Sequence, residues 1–136
     1  AGIEIERIIV GYDIGRSVNP MLVEGQITGG MAQGIGGALY EEFLYTEEGQ
    51  PTCATFADYL WPTAEEVPEI ESFVTEESPS GTNPLGLKGA GECGINASGA
   101  AIASAVGQAI GDPSAVTRLP ISSIRLHEIL KEVCVT

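Results

Sequence analysis

Glycine constrains this chain more than any other residue. Eighteen of the 136 residues are glycine, eight of them between Gly11 and Gly37 and eight more between Gly81 and Gly111. A flexible linker would set such glycines among serines and other polar residues, but here alanine, isoleucine and leucine fill the gaps. The two clusters therefore mark places where backbone must come close to something. In the first, Met21 to Glu42 reads as a helix with Gly25, Gly29, Gly30, Gly34, Gly36 and Gly37 inside it. Six interior glycines cost roughly 5–6 kcal/mol of helix propensity relative to alanine, which only close tertiary packing can offset. The pairs Gly25/Gly29 and Gly30/Gly34 are spaced to let another backbone lie against one face.

Charge is the second constraint. Nineteen acids against six bases give a net charge of −13, and no Lys or Arg occurs from Ser17 to Leu87. Such a chain has no electrostatic footprint for nucleic acid and is repelled by anionic membrane surfaces. The acids Glu65, Glu66, Glu69, Glu71, Glu76 and Glu77 lack EF-hand spacing and read as a solvated face. Cys53, Cys93 and Cys134 are 40 and 41 residues apart, match no zinc spacing and fit a reducing cytoplasmic compartment. Ala1 opens almost directly into strand-like sequence, without a signal peptide, as a segment of a longer protein would.

The pattern along the chain predicts a single α+β domain over residues 1–136. Ile3 to Val10, continuing to Gly15, reads as a strand entering a core. Asn19-Pro20 starts the glycine helix. Phe43–Tyr45 and Thr52–Phe56 read as a hairpin around Gly49, and Glu69 to Val74 alternates like a strand with one wet face. Ile95 to Ile110 is a small-residue helix, Gly111-Asp112-Pro113 ends it, and Ser122 or Ser123 caps a last helix through Val133. The expectation is a small mixed or antiparallel sheet packed by glycine- and alanine-rich helices. Phe56, Tyr59, Trp61 and Phe73 are expected in the core.

Chemistry concentrates between Thr82 and Gly94, where four glycines in the nine residues from Gly86 to Gly94 precede an apolar helix. Glu92 in that loop can act as a general base, or can complement the helix N-terminus. Lys88 is the first positive charge after a long acidic stretch and can hold an anion or pair with an acid. Gln26, an amide among small and apolar neighbours, can hydrogen-bond a heteroaromatic ring or nearby backbone. A Cys93–His127 nucleophile pair has nothing to orient it.

The motifs VGYDIGRSVNP (10–20), VEGQITGG (23–30), LWPTA (60–64) and TNPLGLKGAGECG (82–94) resemble, in order, the C-terminal part of the molybdopterin-binding large subunit of the xanthine dehydrogenase/aldehyde oxidase family, the molybdenum hydroxylases. The resemblance spans about Arg7 to Leu119. It implies that this segment belongs to a larger molybdenum-cofactor-binding domain. The implied reaction oxidises a purine-like N-heterocycle or an aldehyde, with water as the oxygen source. By position, Glu92 matches the family's catalytic general base, which acts on the molybdenum-bound hydroxyl. Gln26 matches the glutamine that bonds the pterin, and Lys88, Gly89, Ala90 and Gly91 match the chain passing the cofactor. No residue here is a direct metal ligand. The implied cofactor is molybdenum-molybdopterin, as such or as its dinucleotide, with iron–sulfur clusters and FAD on other domains or subunits. Implied partners are the remainder of the large subunit, those other domains and a small-molecule substrate. Cys93 departs from the proline or serine common at that position. The family's GGGFG-type loop and arginine/phenylalanine-bearing substrate region lie outside this sequence, so the chain alone is expected to be apo and inactive. The competing reading is a non-catalytic module that binds a ligand or a subunit through the glycine loop 86–94.

Overall fold

A computed structural model describes residues 2–134; Ala1, where the strand-like opening was read, lies outside them. The chain runs β1 (Arg7–Asp13), α1 (Pro20–Leu39), β2 (Glu69–Thr75), α2 (Cys93–Asn96), α3 (Ser98–Ala109) and α4 (Ser123–Val133). This is the α+β class expected from the sequence.

The direction of the sheet is different from the expectation. β1 and β2 pair in parallel, from Arg7 opposite Glu69 to Asp13 opposite Thr75, rather than in a mixed or antiparallel sheet. Alternation within a strand reports which face is wet but is silent on direction. Direction follows from the connection: the chain leaves β1, passes through α1 and a long loop, and re-enters at the same end, as parallel neighbours require. Ile3 and Ile5 stay outside the strand and pack, half-buried, on the α3–α4 side of the core.

α1 begins where the sequence says it should. Asn19 caps it by accepting from the Leu22 N–H at 3.2 Å, and Pro20 occupies the first turn, where no N–H is needed. It ends at Leu39, three residues before the expected Glu42. Ile27 and Ile35 on this helix are completely buried. Its N-terminal half meets the sheet through Ile27 and Met31 against Val10, with Ile8, Tyr12, Ile70 and Val74 around them. Its C-terminal half meets α3 and α4 through Ile35, Ala38 and Leu39 against Ile102, Val106, Leu126 and Ile129.

The helix expected over Ile95–Ile110 is two pieces, with Ala97 between them. Ser98 is buried there, donating from Oγ to the Ile95 carbonyl at 2.7 Å, and it lies against Gly34 of α1. Gly111 ends this stretch with φ +83°, and Ser122 caps α4 by accepting from the Arg125 N–H. The segment 43–56 keeps its turn, with Gly49 at φ +80° and one bridge from Tyr45 to Pro51, but forms no strands. Cys53 alone of that segment is buried. Phe56, Trp61 and Phe73, expected inside, are more than half exposed and Tyr59 is half-buried; the Phe73 ring lies over Gly11 on the neighbouring strand. Phe56 stacks on Trp61 with ring centroids 4.8 Å apart, and Phe43 tilts against Tyr59 at 5.0 Å.

Candidate functional site

The glycine loop is a strap pinned at both ends. At its start, the Lys88 N–H donates to the Ile14 carbonyl at 3.0 Å, just beyond β1. The Lys88 ammonium lies 3.1 Å from Asp13 Oδ1. That carboxylate also accepts from the Gly15 N–H and the Ser78 N–H, both at 2.9 Å. The Gly15 amide first, and then Lys88 and the Ser78 amide, hold the Asp13 carboxyl down to about 2, against a smaller desolvation effect. The chain crosses here closely enough that glycine is needed. Gly15 has φ +71°, and a Cβ on it would run into the Gly86 carbonyl, while Gly86 itself has φ +70°.

At its far end, the strap is fixed to α1. Cys93 is buried and donates from Sγ to the Ala90 carbonyl at 2.9 Å. Gly94 packs directly on the main chain of Ile27 and Met31, and Gly30 lies against Gly94 and Ile95. The close approach expected at Gly30/Gly34 is thus present, with α2 and the start of α3 as the partner. Gly25 and Gly29 instead face open space among the described residues.

Between the two anchors lie Gly89, Ala90, Gly91 and Glu92. Gly89 and Gly91 are exposed, with no atom near where a Cβ would be, and the N–H groups of Gly89, Ala90 and Gly91 have no acceptor among the described residues. Glu92 is exposed and occupies the N-cap position of α2, yet its side chain makes no capping hydrogen bond. Gln26 is exposed on α1, immediately before the Ile27 carbonyl on which Gly94 rests, and its amide has no side-chain partner among the described residues. The packing therefore joins the two glycine clusters and brings the turn carrying Gln26 next to the end of the strap. Unpartnered main-chain donors, an amide with both donor and acceptor, and the bare surface at Gly89 and Gly91 suit a flat polar ligand lying on the strap. A groove of about 830 Å³ between residues 3–12 and the alanine face of α3 lies elsewhere. The residues around Glu92 form one wall rather than a pocket. Cys93 is committed to Ala90 while His127 is exposed on α4, so they do not form a pair.

Asp13 is the residue that sequence reasoning passed over. Its signal was Lys88: a base embedded in so acidic a chain needs a partner, and Asp-x-Gly at a strand end supplies one with its carboxylate already turned back on the chain.

Residues 2–68 match the molybdopterin cofactor-binding domain model. The gamma subunit of the 6-hydroxypseudooxynicotine dehydrogenase complex of Paenarthrobacter nicotinovorans is 53% identical over 121 residues, 89% of this chain and 15% of that subunit. The putative xanthine dehydrogenase molybdenum-binding subunit of Escherichia coli K12 is 39% identical over 128 residues, 93% of this chain and 16% of the relative. Among solved structures, the Cu,Mo-CO dehydrogenase superposes with a TM-score of 0.81 at 32% identity, over 90% of this chain and 16% of that one. Quinoline 2-oxidoreductase from Pseudomonas putida 86 gives 0.80 at 38% identity, over 91% of this chain and 16% of that one. The chain thus spans about a sixth of the length of these relatives. The family model over residues 2–68 and the sequence and structural relatives over about nine-tenths of the chain point to one family, and the chain belongs to the molybdopterin-binding large subunits of the molybdenum hydroxylase family.

Proposed function

We propose that this segment supplies the general base and part of the cofactor wall of a molybdenum hydroxylase that oxidises an N-heterocycle or an aldehyde with water as the oxygen source. When bound, the molybdenum–pterin group supplies a Lewis-acidic centre that accepts two electrons. The residues of this chain fit such a group. Gln26 would hydrogen-bond the pterin edge through its amide, and the N–H groups of Gly89, Ala90 and Gly91 would face its polar rim. The main chain at Lys88 leads the strap into that contact. Glu92 takes up a proton on its carboxylate oxygen as water is delivered to the substrate carbon. Iron–sulfur clusters and FAD on other domains or subunits would supply the electron path, and the remainder of the large subunit would supply the second wall. The chain by itself is then inactive and holds no molybdenum, and the complete enzyme works in the cytoplasm. Among the relatives, quinoline 2-oxidoreductase and xanthine dehydrogenase bear the names of N-heterocycles, and the Desulfovibrio gigas protein is an aldehyde oxidoreductase.

One observation carries this reading. Glu92 presents a carboxylate with no capping bond, on a strap held at both ends and joined to the helix turn of Gln26. The test is Glu92→Gln in the complete large subunit, assayed with purines, quinolines and aldehydes. Loss of a general base lowers turnover by about 10²–10⁴-fold, and molybdenum content per subunit is expected to stay unchanged. Full turnover in that variant would sink the base assignment and leave the non-catalytic binding module.

A further inference from the structure

We infer that Asp13 is the positioning residue for the strap that carries Glu92. The inference rests on the base assignment above only for its kinetic consequence; the mechanical part stands by itself. Asp13 is 79 positions from Glu92, and it ends the strand that anchors the whole sheet. Its two oxygens gather three separate stretches of chain: the turn after β1 through Gly15, the exit from β2 through Ser78, and the strap through Lys88. Lys88 is thereby held twice, by its ammonium on Asp13 and by its N–H on the Ile14 carbonyl.

From Lys88 only Gly89, Ala90 and Gly91 separate the clamp from Glu92, and immediately beyond Glu92 the buried Cys93 and Gly94 are seated on α1. The Gly89 and Gly91 N–H groups have no acceptor among the described residues and nothing lies within 4 Å of where their Cβ atoms would be, whereas Ala90 between them packs on the Val10, Ile27, Met31 and Cys93 cluster. A short span with a glycine on either side of Ala90 has little stiffness of its own, so its anchors determine where Glu92 stands. The far end is fixed by apolar packing and backbone contact. The near end is held by the Lys88 N–H on the Ile14 carbonyl, by two hydrogen bonds between Asn83 and the Leu87 main chain, and by the Asp13 carboxylate, the one ion-pair partner of Lys88 among the described residues. Catalysis by a positioned base is sensitive to displacements of an ångström, so the Asp13–Lys88 clamp controls the rate without touching the reacting atoms.

The experiment has two arms. Amide hydrogen exchange is followed by mass spectrometry on the complete large subunit, comparing wild type with Asp13→Ala, Lys88→Met and Lys88→Arg. Exchange at the hydrogen-bonded amides of Gly86, Leu87 and Lys88 is expected to quicken at least about tenfold in the first two variants, with α3 and α4 unchanged. Lys88→Arg should restore wild-type rates. Unchanged exchange over 86–88, or an equal rise throughout the chain in both Asp13→Ala and Lys88→Met, would overturn the clamp. If Asp13→Ala alone unfolds, the Lys88→Met and Lys88→Arg pair decides.

In the complete subunit, Asp13→Ala is expected to lower kcat per molybdenum by about tenfold to a hundredfold, with KM within about twofold. A merely structural role would reduce the yield of loaded enzyme and leave kcat per molybdenum unchanged. Glu92→Gln should leave exchange at wild-type rates. Failure of the base assignment would therefore appear in turnover alone, and failure of the clamp in exchange.

Discussion

Protonating Asp13 weakens three contacts at once, which is why its acid form is so disfavoured. The consequence for stability has a definite sign. Its folded-state pKa is lowered to about 2 from an ordinary 3.8. The stabilisation is therefore fully present above pH 3.8 and is lost as pH falls through about 2. Urea denaturation of wild type and Asp13→Asn at pH 6, 4, 3 and 2 isolates this contribution, because the other carboxylates titrate in both proteins. The gap between the two midpoints is expected to be constant above pH 4 and to close towards pH 2; a gap independent of pH would refute it. At this scale the sequence was partly legible. Asn19 and Ser122 are capping residues whose partners lie three residues away, and both caps are present. Glu92 and Lys88 stood out by type and neighbourhood, whereas Asp13, marked locally only by its Asp-x-Gly turn, acts on a residue 75 positions distant.

The glycine helix α1 illustrates the same division among elements. Its existence follows from Asn19-Pro20 and the apolar face that buries Ile27, Met31, Ile35 and Ala38. Which of its glycines meet another backbone does not follow, since Gly25, Gly29, Gly30 and Gly34 have identical local credentials. The partner element decides: α2 and the start of α3 lie on Gly30 and Gly34 and leave Gly25 and Gly29 open. Paired substitutions measure this. Gly94→Ala would press a methyl onto the Ile27 carbonyl and the Met31 N–H, and overpacking of this kind costs about 1–3 kcal/mol. Gly29→Ala adds its methyl to open space, so this chain should gain up to about 1 kcal/mol of helix propensity. Opposite signs in chemical denaturation are the expected result. A loss of stability in both variants would show that the assigned packing face is wrong. The split between α2 and α3 has a similar origin, since Ser98 turns its hydroxyl back to Ile95 while seated on Gly34.

For the whole molecule, charge and exposure are the governing quantities. Nineteen acids face six bases, and three of the bases are engaged in the ion pairs Arg7–Glu71, Lys88–Asp13 and Arg118–Glu42. Self-repulsion among the remaining acids disfavours the compact state at low ionic strength. The Debye length falls from about 30 Å at 0.01 M to about 8 Å at 0.15 M, so the melting temperature of this chain should rise over that range of sodium chloride. A falling melting temperature would mean that the ion pairs outweigh the net charge. Among the described residues no helix is long and apolar enough to cross a membrane. The class of fold, the places of β1, α1, β2 and α4, the caps, the glycine that ends α3 and the family itself were readable from sequence, because each depends on neighbours within a few residues or on a motif held intact in one stretch. The parallel direction of the sheet, the exposure of Trp61 and Phe56, the crowded glycines and the Asp13–Lys88 clamp were decided only when distant segments met. Their physical cause is the same in every case: burial, close approach and ion pairing are properties of two surfaces, and a linear sequence displays one at a time.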